Sequence, residues 1–120
     1  MQNIIIFNSR DVLLRIDLTK IAFFEADGNY TNITLANKQK LQVGINLSSM
    51  EKRLAEHLGQ LSHTFIRIGK RFIVNMQHVQ QINVPKQRLV ISDNESFTFA
   101  LPISKEALRN AKELMLTLKV

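Results

Sequence analysis

The chain has 120 residues, no cysteine, 16 lysines and arginines against 10 aspartates and glutamates, and a formal net charge of +6. That length supports one domain with a single sizeable core, and the missing cysteine excludes disulfides, thiolate chemistry and cysteine-based zinc sites. No apolar run approaches the roughly 20 residues of a membrane-spanning helix and no leader-like segment follows Met1, so the expected location is the cytoplasm.

The first half reads as short strands. "NIIIF" (residues 3–7) and "VLLRI" (residues 12–16) are apolar runs separated by the polar turn "NSRD". The stretch "KIAFFEADGNYTNITLANKQKLQV" then reads as three strands and two turns. Asp27-Gly28-Asn29 is a hairpin signal, because Gly and Asn tolerate positive φ and Asp bonds back to its own backbone. Beyond it Thr31, Ile33 and Leu35 alternate with Asn32 and Thr34, the period of a half-buried strand. Ala36-Asn37-Lys38 marks the second turn.

A helix is expected next. Ser48 and Glu51 fit a capping box, Leu47, Met50, Leu54 and Leu58 share one face, and Gly59 sits where a C-terminal glycine belongs. "FIRIGKRFIVN" (residues 65–75) follows, reading as one long apolar strand that carries Arg67, Lys70 and Arg71 around Gly69. Between residues 62 and 81 there is no acidic residue to cancel those cations, which points to an anionic partner. "HVQQINV" and "RLVIS" read as strands joined across Pro85-Lys86, and "SFTFALPI" as a further strand ending at Pro102. Ser104 can cap a last helix with an apolar stripe of Leu108, Ala111, Leu114, Met115 and Leu118. The fold class is therefore mostly β: short antiparallel sheets plus two amphipathic helices, without the β-α-β alternation of a Rossmann-like sheet.

Catalytic constellations are not apparent. Glu25 and Asp27 share one side of a strand, where a solvated approach to a turn outweighs an acid/base pair. His57, His63 and His78 lack metal-ligand spacing, the glycines form no phosphate-binding pattern, and Ser48, Ser49, Ser62, Ser92, Ser96 and Ser104 lack a nucleophile-elbow context. The chain reads as a binding protein, not an enzyme, with no cofactor, metal or small-molecule substrate.

Several stretches together resemble the LytTR-type DNA-binding domains of bacterial transcription regulators. "FIRIGKRFIVN" is similar to the family's central F-x-R-(apolar)-H-(basic)-S-(aromatic)-(apolar)-V-N signature. "KIAFFEADGNYTNI" resembles its first hairpin, "LSSMEKRL" its helix, "HVQQI" the segment after Val-Asn, and "LPISK" its closing motif. The similarity spans residues 18–116, which places a LytTR-like domain at residues 18–120. Residues 1–17 are then lead-in strands, either part of that domain or ahead of it. Two positions depart from the pattern: Gly69 stands where the family usually has histidine, and Arg71 where it has serine. A receiver domain, common upstream in relatives, is absent, which leaves a stand-alone regulator and one domain of a longer chain both open.

The resemblance implies an elongated fold that reads double-stranded DNA through loops entering successive major grooves. The implied contacts are Asn29, Tyr30 and Thr31 at the hairpin tip, Arg67, Gly69, Lys70 and Arg71 in the signature, and Ser104 and Lys105 at the last helix. The residue types suit such contacts, since Arg and Lys can donate to guanine or phosphate, Asn can pair with adenine, and a helix N-terminus attracts phosphate. Blander readings stand beside these. Arg67 could instead pair with Glu25 or another acid, Tyr30 could pack on the hairpin, and Asn75 could hold a turn. Glu25 could orient a neighbouring cation, and Lys38, Lys40, Lys52 and Arg53 could form a solvated face.

The leading expectation is a sequence-specific transcription regulator on direct-repeat promoter sites, with a second copy on the adjacent repeat. The alternative is a protein-interaction module whose basic loops bind an acidic or membrane-bound regulatory partner, with a receiver domain, sensor kinase or membrane inhibitor as the candidates. RNA binding is disfavoured by one Tyr and no Trp and by the missing pattern of base-stacking aromatics. Contact regions gathered on one face would favour DNA over a protein partner.

Overall fold

The computed structural model describes residues 3–59 and 64–118; Ser62 and His63, weighed above as nucleophile and ligand, lie outside the described residues. In chain order the elements are β1 (Ile4–Asn8), β2 (Leu13–Asp17), β3 (Ile21–Asp27), β4 (Tyr30–Leu35), β5 (Lys40–Val43) and α1 (Leu47–Leu58). There follow β6 (Phe65–Ile68), β7 (Phe72–Asn75), β8 (Val79–Asn83), β9 (Arg88–Ser92), β10 (Thr98–Pro102) and α2 (Lys105–Leu118), with short 3-10 turns at Leu18–Lys20 and Met76–His78. All strand pairs are antiparallel and build three sheets, ordered β1-β2, β5-β4-β3-β7-β6 and β10-β9-β8. The molecule is elongated, 44 × 28 × 28 Å. The mostly-β architecture with two amphipathic helices is the one observed.

The five-stranded sheet is central because its middle strands β3 and β7 carry continuous apolar runs, Ile21–Phe24 and Phe72–Val74, whose successive side chains make both faces apolar. On one face Phe24, Ile33 and Ile73 pack with Leu47, Met50 and Leu54 of α1 and with Ile5, Phe7 and Ile16 of the β1–β2 hairpin. On the other, Phe23, Phe72 and Val74 pack with Leu89 and Ile91 of β9, Leu101 of β10, and Leu108 and Ala111 of α2. Phe23 meets Phe72 and Phe99 edge-on at 5.9 and 5.3 Å between ring centres, and burying each such side chain stabilises the fold by about 1.5–3 kcal/mol. Of the stripes read from the helix sequences, Leu47, Met50, Leu54, Leu108 and Ala111 are buried and Leu58, Leu114 and Met115 half-buried, while the Leu118 side chain lies outside the described residues.

Three local expectations are corrected. Residues 65–75 are a hairpin rather than one strand, because Gly69 takes φ +72° and reverses the chain between β6 and β7. The N-cap of α1 is Asn46, whose side-chain oxygen accepts from the Ser49 N–H at 2.8 Å; Ser48 and Glu51 lie inside the first turns, where their side chains can bond to other elements. Arg53 is not merely solvated. Its Nη2 donates to the Ile6 carbonyl at 2.6 Å and its guanidinium lies 5.0 Å from the centre of the Phe7 ring, tying α1 to β1. Asn75 is buried, as its turn-holding role requires: Nδ2 donates to the Ile21 carbonyl (3.0 Å) and Oδ1 accepts from the Gln77 N–H (3.1 Å).

Candidate nucleic-acid interface

Register places two of the expected regions together. β3 and β7 are antiparallel neighbours with Glu25 opposite Phe72, so the turn leaving β3 and the turn entering β7 emerge at the same end of the central sheet. The first is the two-residue turn through Gly28 and Asn29, closed by the Asp27–Tyr30 pair, with Gly28 at φ +59°. The second is Gly69–Lys70–Arg71. The second turn is bonded to the end of β3 that leads into the first: the Ala26 N–H donates to the Arg71 carbonyl at 2.8 Å, and Arg71 Nη2 donates to Glu25 Oε2 at 2.6 Å. The Arg71 guanidinium also lies 5.2 Å from the centre of the Phe72 ring, yet its side chain remains 60% exposed. Glu25 therefore does orient a neighbouring cation.

The third region joins through Gly69. A Cβ built there would lie 3.6 Å from the Ala107 Cβ and 4.0 Å from Ile103 Cγ2, so the loop rests against the first turn of α2. Ser104 caps that helix, its Oγ accepting from the Ala107 N–H at 3.3 Å. Between loop and helix runs an open groove of about 660 Å³, with Gly69, Lys70 and Arg71 on one wall and Ser104, Ala107 and Asn110 on the other. Lys70, Ser104 and Lys105 are exposed, and among the described residues neither lysine is in an ion pair.

Two expected contacts sit elsewhere. Asn29 and Tyr30 are exposed at the hairpin tip, but Thr31 is fully buried, and its Oγ1 donates to the Ile45 carbonyl at 2.8 Å. Alternation along a strand sends neighbouring side chains to opposite faces, so Tyr30 and Thr31 cannot share one outward surface. Arg67 projects from β6 toward α1. Its Nη1 donates to Ser48 Oγ (2.9 Å) and Glu51 Oε1 (3.3 Å), and its Nη2 to the Lys70 carbonyl (2.8 Å), with the side chain 25% exposed. Its acid is thus Glu51 and not Glu25. The sequence reading overlooked Ser48 and Glu51 as partners; their i, i+3 spacing puts both on one helix face.

Glu25 and Asp27 have separate partners, Glu25 bonding to Arg71. Asp27 Oδ2 accepts from Asn32 Nδ2 (3.3 Å) and Gln42 Nε2 (3.2 Å), forming an amide cluster beside the hairpin with the Gln42–Asn32 bond at 3.0 Å. His78 packs edge-on to Phe97 at 5.3 Å. Among the described residues, no group of three or more His, Cys, Asp or Glu could hold a metal ion, and no helix is long and apolar enough to cross a membrane.

Comparison with known proteins bears on the fold and the family. The sequence model of the LytTr DNA-binding domain matches residues 11–116. The fold is similar to that of a chain described as the LytTr DNA-binding domain of a putative methyl-accepting/DNA response regulator from Bacillus cereus. That likeness has a TM-score of 0.67 at 20% identity, over 94% of this chain and 96% of the other. No curated protein sequence matches significantly. The matched span starts in the β1–β2 turn and runs almost to the end of α2, taking in the hairpin tip, the Gly69–Arg71 turn and the helix cap. The chain belongs to the LytTR family of DNA-binding domains.

Proposed function

We propose that the chain is a sequence-specific transcription regulator that reads double-stranded DNA through the loops at one end of its central sheet. The observation that carries this reading is the placement of three polar, exposed segments: the Gly69–Arg71 turn is bonded to β3 at Ala26, three residues before the Asn29–Tyr30 tip, and faces Ser104, next to Lys105, across a groove. Arg71 offers a planar fork suited to guanine O6 and N7, and Asn29 an amide suited to adenine. Lys70 and Lys105 supply charge for phosphates, next to the N-terminus of α2.

A module of this size covers only about 600–1,000 Å² of DNA-facing surface. Two copies on direct repeats, each placing its loops in a major groove, would supply the affinity that one lacks. The setting that fits is the cytoplasm, where a receiver domain, sensor kinase or membrane inhibitor would deliver the signal. We further propose that the β1–β2 hairpin belongs to this domain, since Ile5, Phe7 and Ile16 share a core with Phe24 and Met50.

The test is selection from a random duplex library, followed by affinity measurements on the winners across a salt series. A repeated motif should emerge, with log affinity falling by about 0.9 per tenfold salt for each phosphate engaged. Salt-dependent binding without any enriched motif would overturn sequence reading. It would turn attention to an acidic protein partner for the same loops.

A further inference from the structure

We infer that Arg67 is a positioning residue for the Gly69–Arg71 loop, clamping it to α1, and that it is not itself a DNA contact. The inference rests on the DNA-reading function proposed above and assigns Arg67 its part in it.

The geometry is a bridge between two elements far apart in sequence. One nitrogen of the guanidinium donates to Ser48 Oγ at 2.9 Å and Glu51 Oε1 at 3.3 Å in the first turns of α1; another donates to the Lys70 carbonyl at 2.8 Å inside the loop. The next carbonyl along, that of Arg71, accepts from the Ala26 N–H at 2.8 Å. Successive loop carbonyls are therefore fixed from two elements, α1 by way of Arg67 and the β3 backbone. Such outside support is needed because Gly69, at φ +72°, has the widest conformational freedom of any residue type and cannot hold the turn alone.

The electrostatics agree. Glu51 lies 3.3 Å from the same nitrogen, and only a quarter of the Arg67 side chain is exposed, so a phosphate approaching it would meet a carboxylate already in place. A planar guanidinium spreads its donors over separate nitrogens in a rigid fork and so spans helix and loop together, whereas an ammonium carries all its donors on one atom. Holding the loop in its bound shape raises affinity and discrimination by removing an ordering cost from the binding step.

Three variants separate positioning from contact: Arg67→Ala, Arg67→Lys and Glu51→Gln. Each is measured for affinity to a selected duplex and to a random duplex across salt. If Arg67 positions the loop, Ala and Lys variants alike lower the specific-to-random ratio by about tenfold, with the salt slope unchanged. Glu51→Gln, cut from the exposed side of the clamp, weakens specific binding in the same direction by about two- to threefold. A phosphate contact gives the opposite pattern and overturns the assignment. Arg67→Lys then binds like the parent, Arg67→Ala flattens the slope by about 0.9, and Glu51→Gln tightens binding.

A second readout needs no DNA. Hydrogen exchange of the Ala26 amide in the free protein, which reports the loop carbonyl it bonds, should quicken by about fivefold or more in Arg67→Lys while global stability holds. Unchanged Ala26 exchange overturns the clamp. A parent protein that binds no duplex defeats the DNA reading, while the exchange experiment still judges the clamp.

Discussion

Alanine at two glycines should move stability in opposite directions. Gly69 sits at φ +72°, and a Cβ there would meet Ala107 at 3.6 Å and Ile103 at 4.0 Å, both ordinary contact distances. Gly69→Ala is therefore strained by its backbone alone, at about 1–2 kcal/mol for a left-handed L-residue. The stiffer unfolded chain offsets about 0.4–1 kcal/mol of that, which leaves a net loss of about 0.5–1 kcal/mol. Gly44 has no positive φ, and a Cβ there meets only Tyr30 Cε1 at 4.0 Å, so Gly44→Ala keeps just the unfolded-state gain of about 0.4–1 kcal/mol. Urea unfolding followed by circular dichroism measures both. With a slope of about 1.5 kcal/mol/M, the two midpoints should lie about 0.6–1.3 M apart on either side of the parent. Midpoints shifted the same way by similar amounts would refute the claim that backbone conformation, not space, selects glycine at residue 69.

Lys70→Ala should weaken selected and random duplexes alike and flatten the salt slope by about 0.9, as loss of one phosphate contact does; affinity across a salt series checks it. Asn75→Ala removes the donor to the buried Ile21 carbonyl and the cap on the Met76–His78 turn. It should cost about 2–3 kcal/mol in urea unfolding, and a loss below about 0.5 kcal/mol would contradict the buried-amide account. Desolvation raises the Asp93 pKa, but hydrogen bonds from the backbone of Glu95 and Phe97 and from Ser96 outweigh it and hold the carboxyl well below the usual carboxylate range. A depressed folded-state pKa adds stability that is complete above about pH 5 and fades as pH falls. The gap between the parent and Asp93→Asn should therefore close under acid, with NMR showing Asp93 titrating below an ordinary aspartate.

The strands of the central sheet are legible because each carries its own signal within a few residues. Alternation from Thr31 to Leu35 reports a strand, although Thr34 on its expected outer face is also buried, and Asp27-Gly28-Asn29 reports a two-residue turn with positive φ at Gly28. Residues 65–75 mislead, since one glycine in an apolar run fits a bulge as well as a reversal, and only the pairing of Arg67 with Ile73 tells the two apart. The site is less legible than the fold for a related reason. Its residues are local in sequence, but their partners are not: Arg67 finds Ser48 across 19 positions and Arg71 finds Glu25 across 46. Thr31 fails differently. Motif similarity puts it beside Tyr30 at the tip, while strand alternation turns it into the core under Ile45.

Arg71 stands where the signature resemblance implies a serine, and its pairing decides what the added charge does. A free arginine would add one positive charge to the loop and strengthen binding to any duplex. Glu25, 2.6 Å away, offsets that charge, while 60% exposure leaves donors facing outward. The pair itself stabilises the exposed loop by no more than about 1 kcal/mol, so under the proposed DNA-reading function its value is directional: a carboxylate would hold one edge of the fork and aim the other. Glu25→Gln keeps the size of the side chain and removes its charge. Binding to random duplex should then tighten and its salt slope steepen by about 0.9 as Arg71 becomes free to meet phosphate. The advantage of the selected site over random sequence should shrink by about tenfold, as when a bidentate base contact loses its aim. Equal weakening on both duplexes, with that advantage intact, would mean that Glu25 only braces the hairpin and that Arg71 does not read a base.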